Sequence, residues 1–294
     1  MRKCAWNSYD EAKRKEVFAL AEDYKQFISE CKTERECVKQ AIALAEANGY
    51  VDLETLIKEG KTLKVNDKVY ANNMGKTLVL FHIGEEPLEN GMNILGAHVD
   101  SPRLDVKQVP LYEDSELAML DTHYYGGIKN YQWVTLPPAI HGVIAKKDGS
   151  VIDVCIGEDE NDPVVGISDL LIHLSAEQMS KTASKVIEGE DLNVTVGSIP
   201  LQDEEKDAVK ANVLHILKER YDMEEDDFLS CELEVVPAGK ARDYGLDRSM
   251  VMGYGHDDRI CAYTSLRALL EEGNIQRTAV CLLVDKEEVG SIGA

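Results

Sequence analysis

Met92-Asn93-Ile94-Leu95-Gly96-Ala97-His98-Val99-Asp100-Ser101-Pro102 is a short apolar run that gives way to a histidine, an aspartate and a proline. Such a run, bounded by Asn and Gly, reads as a buried strand. His98 then falls just beyond a strand's carboxyl end, where an open α/β sheet keeps its ligands. Thr77-Leu78-Val79-Leu80-Phe81-His82-Ile83 predicts a second strand upstream, and the apolar run from Ala279 to Val284 predicts a third downstream. Helices are expected between and before them. Tyr9 to Glu30 carries apolar residues at helical spacing, and Thr33-Glu34-Arg35-Glu36 offers a capping box ahead of Val38, Ile42 and Leu44, with Gly49 as the stop. From Arg259 to Glu272, Ile260, Tyr263, Leu266, Leu269 and Leu270 recur on one helical face. Strands separated by helices give an α/β class.

The middle of the chain has a different texture. Val143-Ile144 and Val151 to Ile156 alternate like hairpin strands around Lys147-Asp148-Gly149. Cys231 to Val236 alternates as another strand, and one helix is expected over Glu204 to Tyr221. A chain of 294 residues exceeds the size at which one core usually stops growing. The expected organisation is therefore an α/β domain over 1–104 plus 245–294, interrupted by a β-rich insertion over 105–244.

A net charge of −22 opposes a phosphate backbone, and no dense Lys/Arg stripe offsets it, so nucleic acid is not an expected partner. No apolar run reaches the ~18 residues that a membrane span needs. Met1-Arg2-Lys3-Cys4-Ala5-Trp6-Asn7 lacks the apolar core of a secretory signal, which predicts a cytoplasmic protein. The seven cysteines are odd in number and contain no CxxC pair, in keeping with reduced thiols.

Three segments concentrate metal-binding side chains at expected strand ends: the one at His98, Gly255-His256-Asp257-Asp258-Arg259, and Val284-Asp285-Lys286-Glu287-Glu288-Val289-Gly290-Ser291. Each has an ordinary reading beside the chemical one. His98 alone could be a hydrogen-bonded histidine, Asp258 could cap the helix that follows, and Glu287-Glu288 could form a solvated acidic turn. Together they supply the hard oxygen and borderline nitrogen donors that suit zinc, manganese or cobalt. Adjacent carboxylates in an extended segment point in opposite directions, so Glu287 and Glu288 are expected to do different jobs. Asp100 either accepts the second ring N–H of His98 or is a turn residue before Pro102.

In order and spacing, His98-Val99-Asp100-Ser101-Pro102, His173 within Leu170-Leu171-Ile172-His173-Leu174, Asp257-Asp258 and the Glu287-Glu288-Val289-Gly290-Ser291 stretch resemble the M18 metallopeptidases. Tyr124-Tyr125-Gly126-Gly127 resembles the family's Tyr-Gly-Gly element. The resemblance implies a metallopeptidase catalytic domain with a central mixed sheet flanked by helices, interrupted by a β-rich dimerisation domain. It also implies two divalent ions, zinc foremost with manganese or cobalt as alternatives. His98 would ligate one ion, Asp257 would bridge both, Glu288 would ligate the other, and Glu287 would be the general base. His173 would act across a subunit interface, or be a satisfied histidine in an apolar strand. The implied reaction removes N-terminal residues from peptides, in a homo-oligomer whose dimers build a dodecamer at full length. Tyr131-Gln132-Trp133-Val134 stands where many members carry Trp-x-Asp-Arg, so no N-terminal residue preference follows. The family also carries an Asp and a His ligand farther downstream than Ala294, which predicts that this chain by itself is inactive. The alternatives are a non-catalytic assembly or regulatory module on the same fold, or a related two-metal deacylase or carboxypeptidase.

Overall fold

A computed structural model describes residues 4–291 and 293. The chain forms two compact units, Met1–Ser101 with Lys240–Ala294, and Pro102–Gly239. Their boundaries fall at 101/102 and 239/240, a few residues earlier than the sequence reading drew them.

The first unit opens with α1 (Glu11–Glu30), whose N-cap Asp10 accepts from the Lys13 N–H. Helix α2 (Glu34–Ala47) starts at the expected capping box, with Thr33 and Glu36 satisfying each other's backbone N–H groups. Then come β1 (Val51–Asp52), α3 (Leu53–Lys58), β2 (Lys68–Asn73), β3 (Thr77–His82) and β4 (Asn93–His98).

The second unit contributes β5 (Arg103–Asp114), β6 (Leu117–Tyr125), α4 (Asn130–Trp133), β7 (Pro138–Ala145), β8 (Val151–Ile156), β9 (Gly166–Ile167), β10 (Val194–Gly197), α5 (Ala208–Tyr221) and β11 (Cys231–Pro237). These strands form an antiparallel sheet in the order β8-β7-β11-β5-β6-β10-β9. Ser115 and Glu116 join β5 to β6 with φ of 52° and 61°, the positive pair that a two-residue hairpin turn demands. Gly142 lets β7 run against β11, because a Cβ there would lie 1.9 Å from the Glu232 carbonyl oxygen. Helix α5 begins at Ala208, later than the expected Glu204, after Asp207 in a left-handed conformation. It buries Val209 and Val213 against the sheet, where Gly197 leaves room for the Val213 side chain.

The chain then returns to the first unit through the hairpin β12 (Arg242–Tyr244) and β13 (Met250–Met252), α6 (His256–Glu271) and β14 (Ala279–Val284). Its main sheet has the order β1-β2-β3-β14-β4, with β14 antiparallel to β3 and parallel to β4. This is the mixed sheet that the sequence implied, and helices contribute to its core: Tyr24, Phe27, Val38, Ala41, Tyr263 and Leu266 pack with Leu78, Leu80 and Leu283. Strand β14 inserts between two strands that precede the second unit in sequence, so both chain segments are needed to build one sheet. The parallel pairing aligns Val284 with His98, and the Val99 N–H continues it by donating to the Val284 carbonyl at 2.9 Å. Both strands therefore deliver their following residues at the same end of the sheet, beyond their carboxyl ends. Among the described residues no helix is long and apolar enough to cross a membrane.

Candidate metal centre

In the segment after β4, Asp100 is wholly buried and its carboxylate faces the backbone of the segment after β14. Oδ2 accepts from the Glu288 N–H at 3.1 Å and Oδ1 from the Glu287 N–H at 3.4 Å. One buried side chain thus holds the His98 segment to the Glu287-Glu288 segment. His98 Nδ1 lies 3.0 Å from the Asp100 main-chain oxygen and 3.3 Å from its Oδ1, an arrangement that places the ring proton on Nδ1. Nε2 is left as the ligand atom. Of the two roles weighed for Asp100, its position supports the histidine partner, and residues 99–102 form no turn.

Glu287 and Glu288 are not in an extended segment. Lys286 has φ of 74°, and the Gly290 and Ser291 N–H groups both donate to the Glu287 carbonyl, so the two glutamates sit in a turn. It is this turn, not strand alternation, that sets where each carboxylate goes. Asp257 also departs from expectation, because it follows a strand of the separate β12–β13 hairpin and not one of the main sheet. Asp257 and Asp258 have non-helical backbone at the start of α6, and the peptide bond between them is cis. Asp258 directly precedes the regular part of the helix, where a cap would stand, but among the described residues no backbone N–H donates to its carboxylate, which lies by the Cys261 thiol.

Ligand-capable atoms of His98, Asp257 and Glu288 lie within 4.8 Å of one another. His98 Nε2 is 3.3 Å from Asp257 Oδ1 and 3.9 Å from Glu287 Oε2. Four of the residues singled out in the sequence are thereby brought together. His173 is not among them: it lies in the second unit, exposed on a turn between exposed Leu170, Leu171, Ile172 and Leu174, so the reading of a satisfied histidine in an apolar strand is corrected.

The electrostatics are those of a cation site. Burial pulls the His98 imidazole down, but the Asp100 carbonyl and the carboxylates of Asp100, Asp258 and Glu287 outweigh it and hold its pKa above the ordinary value. The Glu288 carboxyl is pushed up, first by burial and then by Asp100, Asp257 and Glu287, against the opposing pull of His98. Crowded carboxylates of this kind repel until positive charge arrives among them.

Several supporting residues escaped the sequence reading. Ser101 Oγ donates to the Asp257 carbonyl at 2.8 Å, and the Tyr24 hydroxyl meets His256 Nδ1 at 2.9 Å. On α6 the buried first-turn residue is Arg259, while Ile260, expected on the core face, is 40% exposed. The signal for Arg259 was available in principle: it lies at i−4 and i−7 from Tyr263 and Leu266, on their face.

A family model described as aminopeptidase I zinc metalloprotease (M18) matches residues 27–294. A probable M18 family aminopeptidase 1 of Clostridium acetobutylicum is 67% identical over 293 residues, covering 99% of this chain and 63% of that protein. Its namesake in Thermotoga maritima is 46% identical over 287 residues, covering 98% and 62%. The crystal structure of aminopeptidase I from Clostridium acetobutylicum superimposes with a TM-score of 0.90 at 65% identity, over 99% of this chain and 64% of that one. An M18 aminopeptidase from Thermotoga maritima gives 0.92 at 45%, over 100% and 63%. The chain spans under two thirds of the length of these relatives. Neither the non-catalytic module, nor the deacylase or carboxypeptidase, nor the expected inactivity of the chain is borne out by them.

Proposed function

Because the chain belongs to the M18 family, we propose that it carries the metal-binding part of a metal-dependent aminopeptidase that removes N-terminal residues from peptides. The observation that carries this reading is the convergence of His98, Asp257 and Glu288, with Glu287 at their side. One borderline nitrogen and several carboxylate oxygens suit zinc, in keeping with the family's description, and also manganese or cobalt. His98 and Asp257 would hold one ion, Asp257 and Glu288 the other. When bound, two such ions supply Lewis-acid polarisation of the scissile carbonyl and lower the pKa of a water.

The remaining work falls to the chain. Glu287 takes the proton of the attacking water and returns it to the leaving amine, a role that suits a carboxylate 42% exposed and held only through its main chain by Asp100. Asp100 keeps His98 in the tautomer that leaves Nε2 free, and it keeps the glutamate turn in register with His98. In the second unit, the exposed aliphatic turn around His173 supports pairing with a second copy, where His173 would stabilise charge in the neighbour's site. Dimers so formed would build the dodecamer that the resemblance implies. Seven free thiols fit a reducing, cytoplasmic setting.

The test is hydrolysis of aminoacyl p-nitroanilides, free or blocked at the amine, by the native-length protein with added zinc, manganese or cobalt. Free-amine substrates should be cleaved, blocked ones not. Glu287→Gln should lower turnover by about 10²–10⁴-fold while bound metal, counted by elemental analysis, stays at two ions. Equal cleavage of blocked substrates, or full activity after chelation, would sink the reading.

A further inference from the structure

Among the described residues Arg259 is the largest side chain to be buried completely, at 1% exposure. Taking a guanidinium out of water costs several kcal/mol, and an apolar side chain of similar volume often serves packing as well or better. Nε donates to the Val99 carbonyl at 3.1 Å and Nη2 to the Lys32 carbonyl at 3.0 Å, both neutral, and the buried thiols of Cys37 and Cys31 lie beside the guanidinium. Nη1 has no hydrogen-bond partner and lies against Gly255, where a Cβ would come within 1.9 Å of it. The Tyr254 ring lies 5.3 Å from the guanidinium carbon. Packing alone does not account for so costly a group.

Its placement does. Val99 stands between His98 and Asp100, and Arg259 itself follows Asp257 by two residues. The planar fork therefore joins the segment that carries one proposed ligand to the segment that carries another. Its third point, Lys32, is fixed in turn, because the Lys32 N–H donates at 2.7 Å to Glu36, the same carboxylate that closes the capping box of α2. Ser101 Oγ on the Asp257 carbonyl makes a second tie between the same two segments.

We propose that Arg259 is a positioning residue that sets the separation of His98 and Asp257 for metal binding, an inference that rests on the metallopeptidase reading. It acts by geometry. A lysine would keep the charge but replace a rigid fork of five donors with one flexible ammonium. Arg259→Lys should therefore lose metal affinity nearly as far as Arg259→Met, whereas a purely electrostatic role would let lysine rescue it.

The experiment uses the native-length protein and both variants. Zinc affinity is measured by competition with a chromophoric chelator, and the melting temperature of each metal-free protein is recorded alongside. Zinc affinity is expected to fall about 10–100-fold in both variants, the range found when groups behind metal ligands are altered. The metal-free melting temperature of Arg259→Met should match or exceed the parent's. Affinity within about twofold of the parent in either folded variant overturns the proposal, as does rescue by lysine alone. Failure of both variants to fold in the presence of zinc would assign the guanidinium to the core and overturn it as well. A parent that binds no metal overturns the metallopeptidase reading together with this one, whereas a parent that binds zinc beside unaffected variants overturns this one alone.

Discussion

Asp100→Asn replaces one buried oxygen with an NH₂ group and changes little else. In the parent carboxylate, Oδ1 faces the Glu287 N–H at 3.4 Å and His98 Nδ1 at 3.3 Å, and Oδ2 faces the Glu288 N–H at 3.1 Å. The Asp100 main-chain oxygen, 3.0 Å from His98 Nδ1, keeps the proton on that nitrogen. An asparagine therefore turns its carbonyl toward His98 and Glu287, where two donors point, and sets its NH₂ against the Glu288 N–H. That amide loses a hydrogen bond to a charged acceptor, an interaction of about 1.5–3 kcal/mol. Taking about 2 kcal/mol, and tenfold for each ~1.4 kcal/mol, local opening of the glutamate turn becomes about 30-fold more frequent.

Native-state hydrogen exchange on the metal-free protein reads this directly, because an amide freed by local opening exchanges in proportion to the population of the open form. The Glu288 amide should exchange about 30-fold faster in the variant, and the Glu287 amide should change less. Amides in β3 and β14 should be unaffected. Exchange at Glu288 within about threefold of the parent, together with unchanged zinc affinity, would refute the view that Asp100 fastens this turn.

Leu80 is fully buried on β3 at the heart of the first unit, so Leu80→Ala should lower its stability by about 2–5 kcal/mol in urea denaturation; a loss under ~1 kcal/mol would contradict the packing described. In Gly142→Ala a Cβ 1.9 Å from the Glu232 oxygen, at φ of 145°, should break the pairing of β7 with β11, and a variant with parental circular dichroism and melting temperature would contradict that register. Burial works to raise the Asp227 carboxyl, but the Glu224 N–H at 2.9 Å and the Lys146 ammonium at 2.6 Å outweigh it and hold it below the ordinary carboxylate value. A depressed folded-state pKa contributes stability that is present above the unfolded value, ~3.9, and is lost as pH falls through the folded one. Acid unfolding of the second unit should therefore show a shallower limb in Asp227→Asn, and an unchanged limb would remove Asp227 from the account.

What could be read from the sequence divides along a physical line. The apolar run Val280-Cys281-Leu282-Leu283 announces a buried strand because burial on both faces leaves no room for polar residues, whereas Ile94-Leu95 announces a strand but not its burial: β4 pairs with β14 as expected, yet Ile94 is 58% and Leu95 46% exposed. Lys68-Val69-Tyr70-Ala71-Asn72-Asn73 does not announce itself, since only Val69 and Tyr70 are buried and the strand is recruited by pairing with β3. The donor types at the site were legible for a similar reason: a histidine, an aspartate and a glutamate declare their chemistry whatever their surroundings. Their spacing did not, because it is set between residues far apart in the chain by groups with no distinctive signature. The Val99 carbonyl, the Lys32 carbonyl and the Glu288 N–H belong to the main chain and exist at nearly every position. Only the buried side chains that seek them, Asp100 and Arg259, distinguish these copies from the rest. A charged residue on the apolar face of a helix, or one directly after a buried strand, therefore marks where the fold is being fastened around a site. On α6 that mark is Arg259, and the face read one residue too late, through Ile260, concealed it.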